Sequence, residues 1–424
     1  MSKILLSAYA CRPNTGSEPG IGWNFAVHAA LDHDVWVMTR PDNRPFIDAA
    51  LQADPTGPAS RVRFHYVPWP RLSGKIPGKL IHVRYTFWQR EAARAARRLH
   101  AEVKFDLAHH VTYGCYWQPA GVVWLDDVPT IWGPVGGGET APGALLGELA
   151  PKARLKERAR DLARFLGERS GAVRRTARCA TIGLAATRET ADRMTRLGTR
   201  QVEVFTAMGL TAGDIDALAA APTTGPGEPG GGLRLVSVGR LLDWKGFHLG
   251  LRAFAAAQLP AGSRYDVIGD GPAKASLVAL AESLGIASRV HFHGALTRDR
   301  TLAQVGRADV LVHPSLHDSG GWVILEAMAM GKAVLCLDLH GPALMATGDT
   351  GIKVPVQSSG QVVTDLIAGM ERLAREPGLL ARMGDHARAR ARETFSWAHR
   401  RHELAVIYER VLGAPATVVS GEAR

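Results

Sequence analysis

The chain has few of the features that mark secreted, disulfide-bonded or membrane-spanning proteins. Its 424 residues include only four cysteines, at positions 11, 115, 179 and 336, without paired spacing. This distribution argues against a disulfide framework or a zinc site and suits a reducing compartment. No stretch approaches the roughly 20 apolar residues that a spanning helix needs. The apolar run in MSKILLSAYACRPN is too short for a signal peptide and predicts a first strand instead. We therefore expect a cytoplasmic protein.

Acidic residues are outnumbered. The chain has 40 Asp and Glu against 51 Lys and Arg, a formal charge of +11, although its 46% hydrophobic and 21% charged residues are ordinary for a globular protein. A basic excess of this size predicts an anionic partner, which would be nucleic acid, anionic lipid or a phosphorylated ligand. No nucleic-acid recognition module is legible, so we expect no nucleic-acid partner.

The basic residues concentrate in two segments, 72–99 and 152–178. The second has helical composition, with Leu155, Leu162 and Leu166 forming an apolar stripe among arginines. Such a run is either a solvated helix face or an interfacial helix that lies on anionic lipid. Because segment 72–99 is also basic and aromatic, the lipid interpretation is slightly favoured. It predicts an anionic membrane surface as a partner and a peripheral position on the inner face of the cell membrane.

Strands alternate with helices in both halves of the sequence, which predicts parallel α/β sheets. A chain of this length needs more than one core. The Pro/Gly-rich run TTGPGEPGGG indicates a linker between the two halves. We therefore predict two Rossmann-like doubly wound domains that face each other across a cleft. The predicted bounds are 1–212 for the first domain, 213–231 for the linker, 232–395 for the second domain and 396–412 for a helix that returns to the first.

Two features of the first half are candidates for ligand contact. Gly16, with the later glycines of CRPNTGSEPGIGW, precedes a predicted helix, where glycine either lets a ligand approach the backbone or forms a plain tight turn. His109 and His110 end the predicted strand FDLAHH. Ligands of doubly wound sheets sit beyond the carboxyl ends of strands. One histidine either faces that ligand or has its hydrogen bonds satisfied by the backbone inside the core. The acids of segment 32–34 lie in an ordinary turn, and we expect no metal there.

The segment HPSLHDSGGWVILEAMAMGKAV, residues 313–334, combines a strand end, a loop and an apolar helix that begins near Trp322. The helix carries one carboxylate, Glu326, with no basic residue on the same turn. A buried, unpaired acid is costly unless hydrogen bonds reach it, and a sugar diol could donate two. Asp318 lies in the loop, and the backbone N–H groups at the helix start attract phosphate. The alternative is a buried strand–loop–helix unit whose acid serves only as a cap.

The loop GRLLDWKG, residues 239–246, follows the first predicted strand of the second half. It places Arg240 and Lys245 at the same sheet edge as Asp318. Arginine offers a planar bidentate fork and lysine a point charge, which together suit a diphosphate.

In this order, the segments SVGRLLDWKG, GDGP, VHFHG and HPSLHDSGGWVILEAMAMGKAV resemble the retaining nucleotide-sugar glycosyltransferases of family 4, which have the GT-B architecture. The likeness covers essentially all of the second half and extends more loosely to the first. The family's signature is two glutamates separated by seven residues, and here Asp318 and Glu326 hold those places. The family's later Gly-Gly-x-x-Glu element is absent, because the segment HGPAL at 340–344 contains no acid.

The resemblance implies roles for individual residues. Arg240 and Lys245 would hold the donor's diphosphate and stabilise the charge that grows on it, while Glu326 would bind the ribose. Asp318 and the N–H groups that follow it would hold the donor sugar. The predicted catalytic set is Arg240, Lys245, His109 and His110, and the donor-binding set is Gly16, Gly239, Gly294, Asp318, Ser319, Gly320, Gly321, Trp322 and Glu326.

The activity implied is retaining transfer of a hexose from a nucleotide diphosphate sugar to a lipid-linked or polysaccharide acceptor. It would use neither a metal nor another cofactor, and no enzyme nucleophile. One alternative is an enzyme of the same architecture with a soluble acceptor, such as a sugar phosphate or small metabolite. Another is a catalytically silent nucleotide-sugar-binding protein. Intact Arg240, Lys245 and Glu326 argue against silence, and the shorter acid at Asp318 keeps it open.

Overall fold

A computed structural model describes residues 1–70, 81–221 and 232–413. Over these residues the chain forms two compact units, each built on one parallel sheet. The first unit contains Met1–Gly138, Asp161–Met208 and the C-terminal segment from Arg400. The second contains Glu139–Arg160 and the described chain from Gly209 to His399. The predicted class, two Rossmann-like parallel-sheet α/β domains, is confirmed.

The first unit has a seven-stranded sheet in the order β3-β2-β1-β4-β5-β6-β7, with every pair of neighbours parallel. Its strands are β1 Lys3–Ala8, β2 Asp34–Thr39, β3 Val62–Tyr66, β4 Leu107–Thr112, β5 Thr130–Val135, β6 Ile182–Ala185 and β7 Val202–Val204. Strand β4 is buried along its whole length, as expected for a central strand covered on both faces. The strand order reverses between β1 and β4, so the ends of these two strands flank this unit's crevice.

Helices cover this sheet. They are α1 Ser17–Ala29, α2 Arg44–Ala53, α3 Ile81–Val103, α5 Gly171–Cys179 and α6 Arg188–Arg196, together with the end of α4 Pro151–Arg169, which begins in the second unit. Helix α3 buries Tyr85, Trp88, Ala92 and Ala96, whose spacing of three and four residues puts them on one face.

The second unit has a six-stranded parallel sheet in the order β10-β9-β8-β11-β12-β13. Its strands are β8 Arg234–Val238, β9 Arg264–Ile268, β10 Val290–Gly294, β11 Val310–His313, β12 Ala333–Leu337 and β13 Gly351–Val354. Its helices are α7 Ala212–Ala219, α8 Phe247–Ala256, α9 Lys274–Ser283, α10 Arg298–Arg307, α11 Trp322–Ala329, α12 His340–Met345, α13 Ser359–Arg375 and α14 Pro377–Thr394. Here the order reverses between β8 and β11, and the loops after these two strands share one edge.

The last helix, α15 Trp397–Leu412, supplies its later turns to the first unit. Arg401 forms an ion pair with Asp32, and the Tyr408 hydroxyl lies 2.8 Å from Nδ1 of His109. Asp32 therefore has an arginine partner within the fold. None of the helices in the described part of the chain is both long and apolar enough to cross a lipid bilayer.

Two predicted boundaries differ from the structure. The linker expected at 213–231 begins later, because Ala212–Ala219 is helical and Thr211 caps it by accepting a hydrogen bond from the Asp214 N–H at 3.0 Å. Residues 222–231 lie outside the described residues. Segment 139–160, expected in the first domain, belongs to the second unit. Its Leu145 and Leu149 are buried in the second unit's core.

Candidate functional site

The candidate site lies where β8 and β11 end. The loop 239–246 follows β8, and the loop after β11 is tied to it by a 2.8 Å hydrogen bond from the Leu316 N–H to the Trp244 carbonyl. Gly246 has φ +70°, and a Cβ there would lie 1.9 Å from the Pro314 carbonyl oxygen. Only glycine fits both the left-handed backbone and this approach. The sequence GRLLDWKG therefore requires its last glycine to hold the two loops together.

The GDGP segment after β9 extends this floor. Leu241 donates its N–H to the Asp270 carbonyl at 3.0 Å, and a Cβ at Gly271 would lie 2.4 Å from the Leu241 carbonyl oxygen. Gly269 donates to the carbonyl of Gly294, which ends β10, at 2.8 Å. Three loops at one sheet edge are thus joined through backbone groups. Gly239 and Gly294, predicted to border the donor, both lie in this network.

Lys245 and Asp318 form an ion pair at this edge, with 16% and 20% of their side chains exposed. His313, the last residue of β11, places Nε2 3.3 Å from the same carboxylate, although the ring is not aligned for a hydrogen bond. Burial acts to raise the pKa of Asp318, but His313 and Lys245 outweigh it and hold that pKa at about 2. The carboxylate is therefore ionised at neutral pH and compensates the Lys245 ammonium.

A second group of contacting side chains lies beside this pair and was not predicted from the sequence. The Trp244 ring stacks on His317, with centroids 4.3 Å apart and planes 16° apart. Nε2 of His317 lies 2.6 Å from an Arg160 nitrogen and 3.2 Å from a Glu157 oxygen. The sequence signal was present, because Trp244 and His317 each precede a predicted site residue. The link to α4 was hidden by 157 residues of intervening chain.

Arg240 lies on the same loop as Lys245, and its side chain is exposed. No carboxylate of the described residues forms an ion pair with it. The start of α11 adds donors, since the backbone N–H groups of Gly320, Trp322 and Val323 donate no hydrogen bond within the described chain. First-turn N–H groups have no partner inside a helix, and they attract anions.

Glu326 was expected to be an unpaired acid, and that expectation is wrong. Arg298, at the start of α10, donates to Glu326 Oε1 through two nitrogens at 3.0 and 3.2 Å. Burial raises the pKa of Glu326, and the nearby Arg298 only partly opposes this. Only 12% of the Glu326 side chain is exposed, against 56% for Arg298. The partner was invisible along the helix because it comes from another element.

Segment 340–344, which lacks the acid of the family's Gly-Gly-x-x-Glu element, supports the loop that carries Asp318. Gly341 donates its N–H to the Asp318 carbonyl at 2.9 Å. A Cβ at Gly341 would lie 2.5 Å from the Ser319 carbonyl oxygen. The start of α12 thus packs directly under the loop that carries Asp318, Ser319 and Gly320, followed by Gly321 and Trp322.

The two histidines of the first unit differ from each other. His109 is fully buried, and its ring nitrogens lie 2.8 Å from the Tyr408 hydroxyl and 2.6 Å from the Gly133 carbonyl oxygen. Its predicted contact with a ligand is therefore corrected, because His109 is a packing residue. His110 is also buried, with Nε2 3.4 Å from the Tyr85 hydroxyl, and its contact with the donor sugar stays a prediction.

The glycines before α1 have a steric explanation at two positions. A Cβ at Gly20 would lie 1.9 Å from the Thr15 carbonyl oxygen, and one at Gly22 would lie 2.0 Å from that of Ala10. A Cβ at Gly16 would meet nothing within 4 Å. Packing therefore explains Gly20 and Gly22, and ligand contact at Gly16 stays a prediction.

Comparison with known proteins gives a family match in the segment that contains these loops. Residues 225–390 match the family described as glycosyl transferases group 1. The chain is 36% identical over 172 residues to D-inositol 3-phosphate glycosyltransferase of Rhodococcus opacus, covering 38% of this chain and 37% of that protein. It is 37% identical over 123 residues to the lipopolysaccharide core biosynthesis glycosyltransferase LpsE of Rhizobium meliloti, covering 29% of this chain and 35% of that protein. The chain thus matches little more than a third of the length of either relative.

Solved structures match over nearly the whole chain. Sucrose-phosphate synthase from Thermosynechococcus elongatus superimposes with a TM-score of 0.63 at 17% identity, covering 97% of this chain and 99% of that one. Anabaena HepE in complex with UDP gives a TM-score of 0.59 at 15% identity, covering 97% and 100%. At these identities the likeness establishes the GT-B fold alone. The match over 225–390 assigns that segment, which lies largely in the second unit, to the glycosyl transferases group 1 family.

Proposed function

We propose that this protein is a retaining glycosyltransferase that moves a hexose from a nucleotide diphosphate sugar to a lipid-linked or polysaccharide acceptor, without a metal or other cofactor. The observation that carries the proposal is the Lys245–Asp318 ion pair at the edge where the second sheet reverses its strand order. Open α/β sheets bind ligands at that edge. The pair also lies inside the segment that matches the family, 225–390.

The phosphates would be held by cations and by backbone donors. Lys245, exposed Arg240 and the first-turn N–H groups of α11 are complementary to a diphosphate. As the bond between the anomeric carbon and the phosphate oxygen breaks, its electron pair goes to that oxygen. Fixed donors then interact more strongly with the growing charge than with the bound donor, which lowers the barrier. The acceptor hydroxyl oxygen forms its bond to the anomeric carbon on the face that the phosphate leaves, and the leaving phosphate takes the proton of that hydroxyl.

The two acids would bind hydroxyl groups. When a phosphate becomes the partner of Lys245, Asp318 is released to accept hydrogen bonds from the donor sugar. Glu326 would accept hydrogen bonds from the ribose diol, and Arg298 would hold its carboxylate in place. His110 and Gly16 stay predicted donor contacts. In this scheme Glu326 is a binding group and takes no proton from the acceptor.

The acceptor class and membrane association rest on separate support. One relative is named for lipopolysaccharide core biosynthesis, which favours a lipid-linked or polysaccharide acceptor. Other relatives are named for inositol 3-phosphate, which supports the soluble alternative. The exposed leucines of basic helix α4 favour the membrane and therefore the first class. The cell location that follows is the cytoplasmic face of the membrane.

The test replaces Arg240 and Lys245 separately by alanine. Transfer should fall by a factor on the order of a hundred or more in each variant, because each removes charge stabilisation from the transition state. It is measured as release of nucleoside diphosphate from a panel of nucleotide sugars. Arg240 is exposed and unpaired with any described carboxylate, so Arg240→Ala should keep the melting temperature of the parent.

A matched control is Lys353→Ala, which also breaks a Lys–Asp pair, to Asp338 at 3.0 Å, on the outer strand of the same sheet. It should retain transfer. Undiminished transfer by both Arg240→Ala and Lys245→Ala would contradict the proposal that these two residues bind the donor's phosphates.

A further inference from the structure

The first unit contains an arginine-lined cavity among the helices that follow its fifth and sixth strands. Its volume is about 350 Å³, within the range of roughly 300–1,000 Å³ that is usual for small-ligand sites. The C-terminal end of α4, helix α5 and the last turn of α6 enclose it. Its lining consists of Glu168, Arg169, Arg174, Arg178, Arg193, Arg196 and Leu197. Five guanidinium groups therefore share this cavity with one carboxylate.

The single carboxylate is already engaged. Glu168 accepts hydrogen bonds from Arg193 at 2.9 Å and from the Tyr116 hydroxyl at 2.6 Å. The other four arginines form no ion pair with any described carboxylate. Four positive charges at the cavity are thus without an acidic partner in the part of the chain that the structure describes.

Hydrogen bonds to backbone carbonyls use only a few of the available arginine donors. Arg174 donates Nε–H to the Glu168 carbonyl at 3.0 Å, and Arg196 donates Nε–H to the Asp192 carbonyl at 3.2 Å. A guanidinium has five N–H donors. The terminal nitrogens of both arginines therefore stay available, in the forked geometry that suits phosphate oxygens.

An exposed apolar patch adjoins the cavity on α4. Leu162, Phe165 and Leu166 are 58%, 47% and 59% exposed. The Arg169 guanidinium carbon lies 3.4 Å from the centroid of the Phe165 ring, so patch and cavity meet at this pair. Large apolar side chains beside clustered arginines are the pattern of a surface that enters the headgroup region of an anionic bilayer.

We propose that this cavity binds the phosphate of an anionic lipid headgroup, while Leu162, Phe165 and Leu166 enter the adjoining acyl boundary of the same leaflet. Charge complementarity fixes the headgroup as anionic, and the apolar patch selects a bilayer rather than a dissolved phosphate. The inference extends the proposed membrane association by locating it. It does not depend on the phosphate chemistry at Lys245.

The first test is sedimentation of the full chain with phosphatidylcholine vesicles that contain about one third phosphatidylglycerol. Arg178→Gln/Arg196→Gln should weaken vesicle binding by a factor on the order of ten or more, since each basic residue near an anionic surface contributes about fivefold. The matched control, Arg300→Gln/Arg382→Gln, removes the same charge from exposed positions of the second unit and should change binding by less than about threefold. Equal losses in both double variants would overturn the site, because only net charge would then matter.

The second test separates lipid from dissolved phosphate. Leu162→Ser/Leu166→Ser should lose vesicle binding. It should keep the part of the inorganic pyrophosphate binding, measured by calorimetry, that Arg178→Gln/Arg196→Gln loses, because the arginines remain. If the parent binds pyrophosphate at the cavity yet ignores anionic vesicles, the lipid assignment is overturned. Donor-sugar hydrolysis in the absence of vesicles should be equal in all these variants, so a failure here is distinguishable from a failure of the proposed transfer reaction.

Discussion

At the scale of single residues, the site is organised by a carboxylate one methylene shorter than the family's usual glutamate. Asp318 is ionised, with its pKa held at about 2, and its charge neutralises that of Lys245. Under the proposed function, a diphosphate would have to displace this internal anion before it binds the lysine. The sugar would then gain a carboxylate that is free to accept hydrogen bonds from its hydroxyls. One ion pair would couple donor binding to donor orientation.

Replacing this acid by its amide should separate the two roles. In Asp318→Asn, Lys245 loses its internal competitor, so a nucleoside diphosphate should bind severalfold more tightly. Transfer should nevertheless fall by a factor on the order of ten or more, because the amide accepts fewer hydrogen bonds from the sugar. Calorimetry with UDP and GDP and turnover with nucleotide sugars measure the two effects.

The matched change, Asp338→Asn, frees Lys353 on the outer strand and should leave both quantities as in the parent. Weaker binding of both nucleoside diphosphates by Asp318→Asn would contradict the competition between carboxylate and phosphate.

At the scale of elements, the loops after β8, β9 and β11 are held by close backbone contacts at glycines. Gly246 and Gly285 have nearly the same left-handed backbone, with φ of +70° and +68°. A Cβ at Gly246 would lie 1.9 Å from the Pro314 carbonyl oxygen, whereas one at Gly285 meets nothing within 4 Å. The pair therefore separates backbone strain from loop packing.

Replacing either glycine by alanine should lower the free energy of unfolding, but the two losses should differ in size. Gly285→Ala should lower the free energy of unfolding by about 1 kcal/mol, the cost of placing alanine in the left-handed region. Gly246→Ala should cost about 2–4 kcal/mol, because the loop must also move away from Pro314. Urea unfolding measures both.

Only Gly246→Ala should also weaken nucleotide binding, since it displaces the loop that carries Lys245. Equal losses of stability, with binding intact in both variants, would show that the contact between the two loops does not position the site.

The sequence allowed the sheet class and the site loops to be predicted, because periodicity and glycine placement are local signals. The strand after Gly232, the loop with Lys245 and the helix that begins at Trp322 were all found in this way. Pairings between distant elements were not. Arg298 reaches Glu326 across 28 residues, and Tyr408 reaches His109 across 299. Neither pairing produces a periodic pattern in the sequence. Glu326 was therefore predicted to be unpaired, and His109 was predicted to contact a ligand.

At the scale of the whole molecule, the chain buries several histidines in their neutral form. Burial lowers the pKa of His109 to about 3, and the pKa values of His28, His110 and His248 to about 4. In the unfolded chain these rings titrate near 6.5. Between pH 6.5 and 4 these rings therefore bind more protons in the unfolded state, and their contribution to the free energy of unfolding falls as the pH falls.

Each of these histidines should remove about 1.4 kcal/mol of stability per pH unit once the pH is well below 6.5. Replacing His109 by glutamine should lower stability at pH 7, because the contacts to Tyr408 and Gly133 are altered. It should also reduce the slope of the unfolding free energy against pH between 6 and 4 by about 1.4 kcal/mol per pH unit, because one titrating group is gone. Urea unfolding at pH 7, 6, 5 and 4 gives both values. His386→Gln, at an exposed position, should keep the slope of the parent. A slope unchanged by His109→Gln would mean that this ring is already protonated inside the folded protein, and the account of His109 as a neutral packing residue would fall.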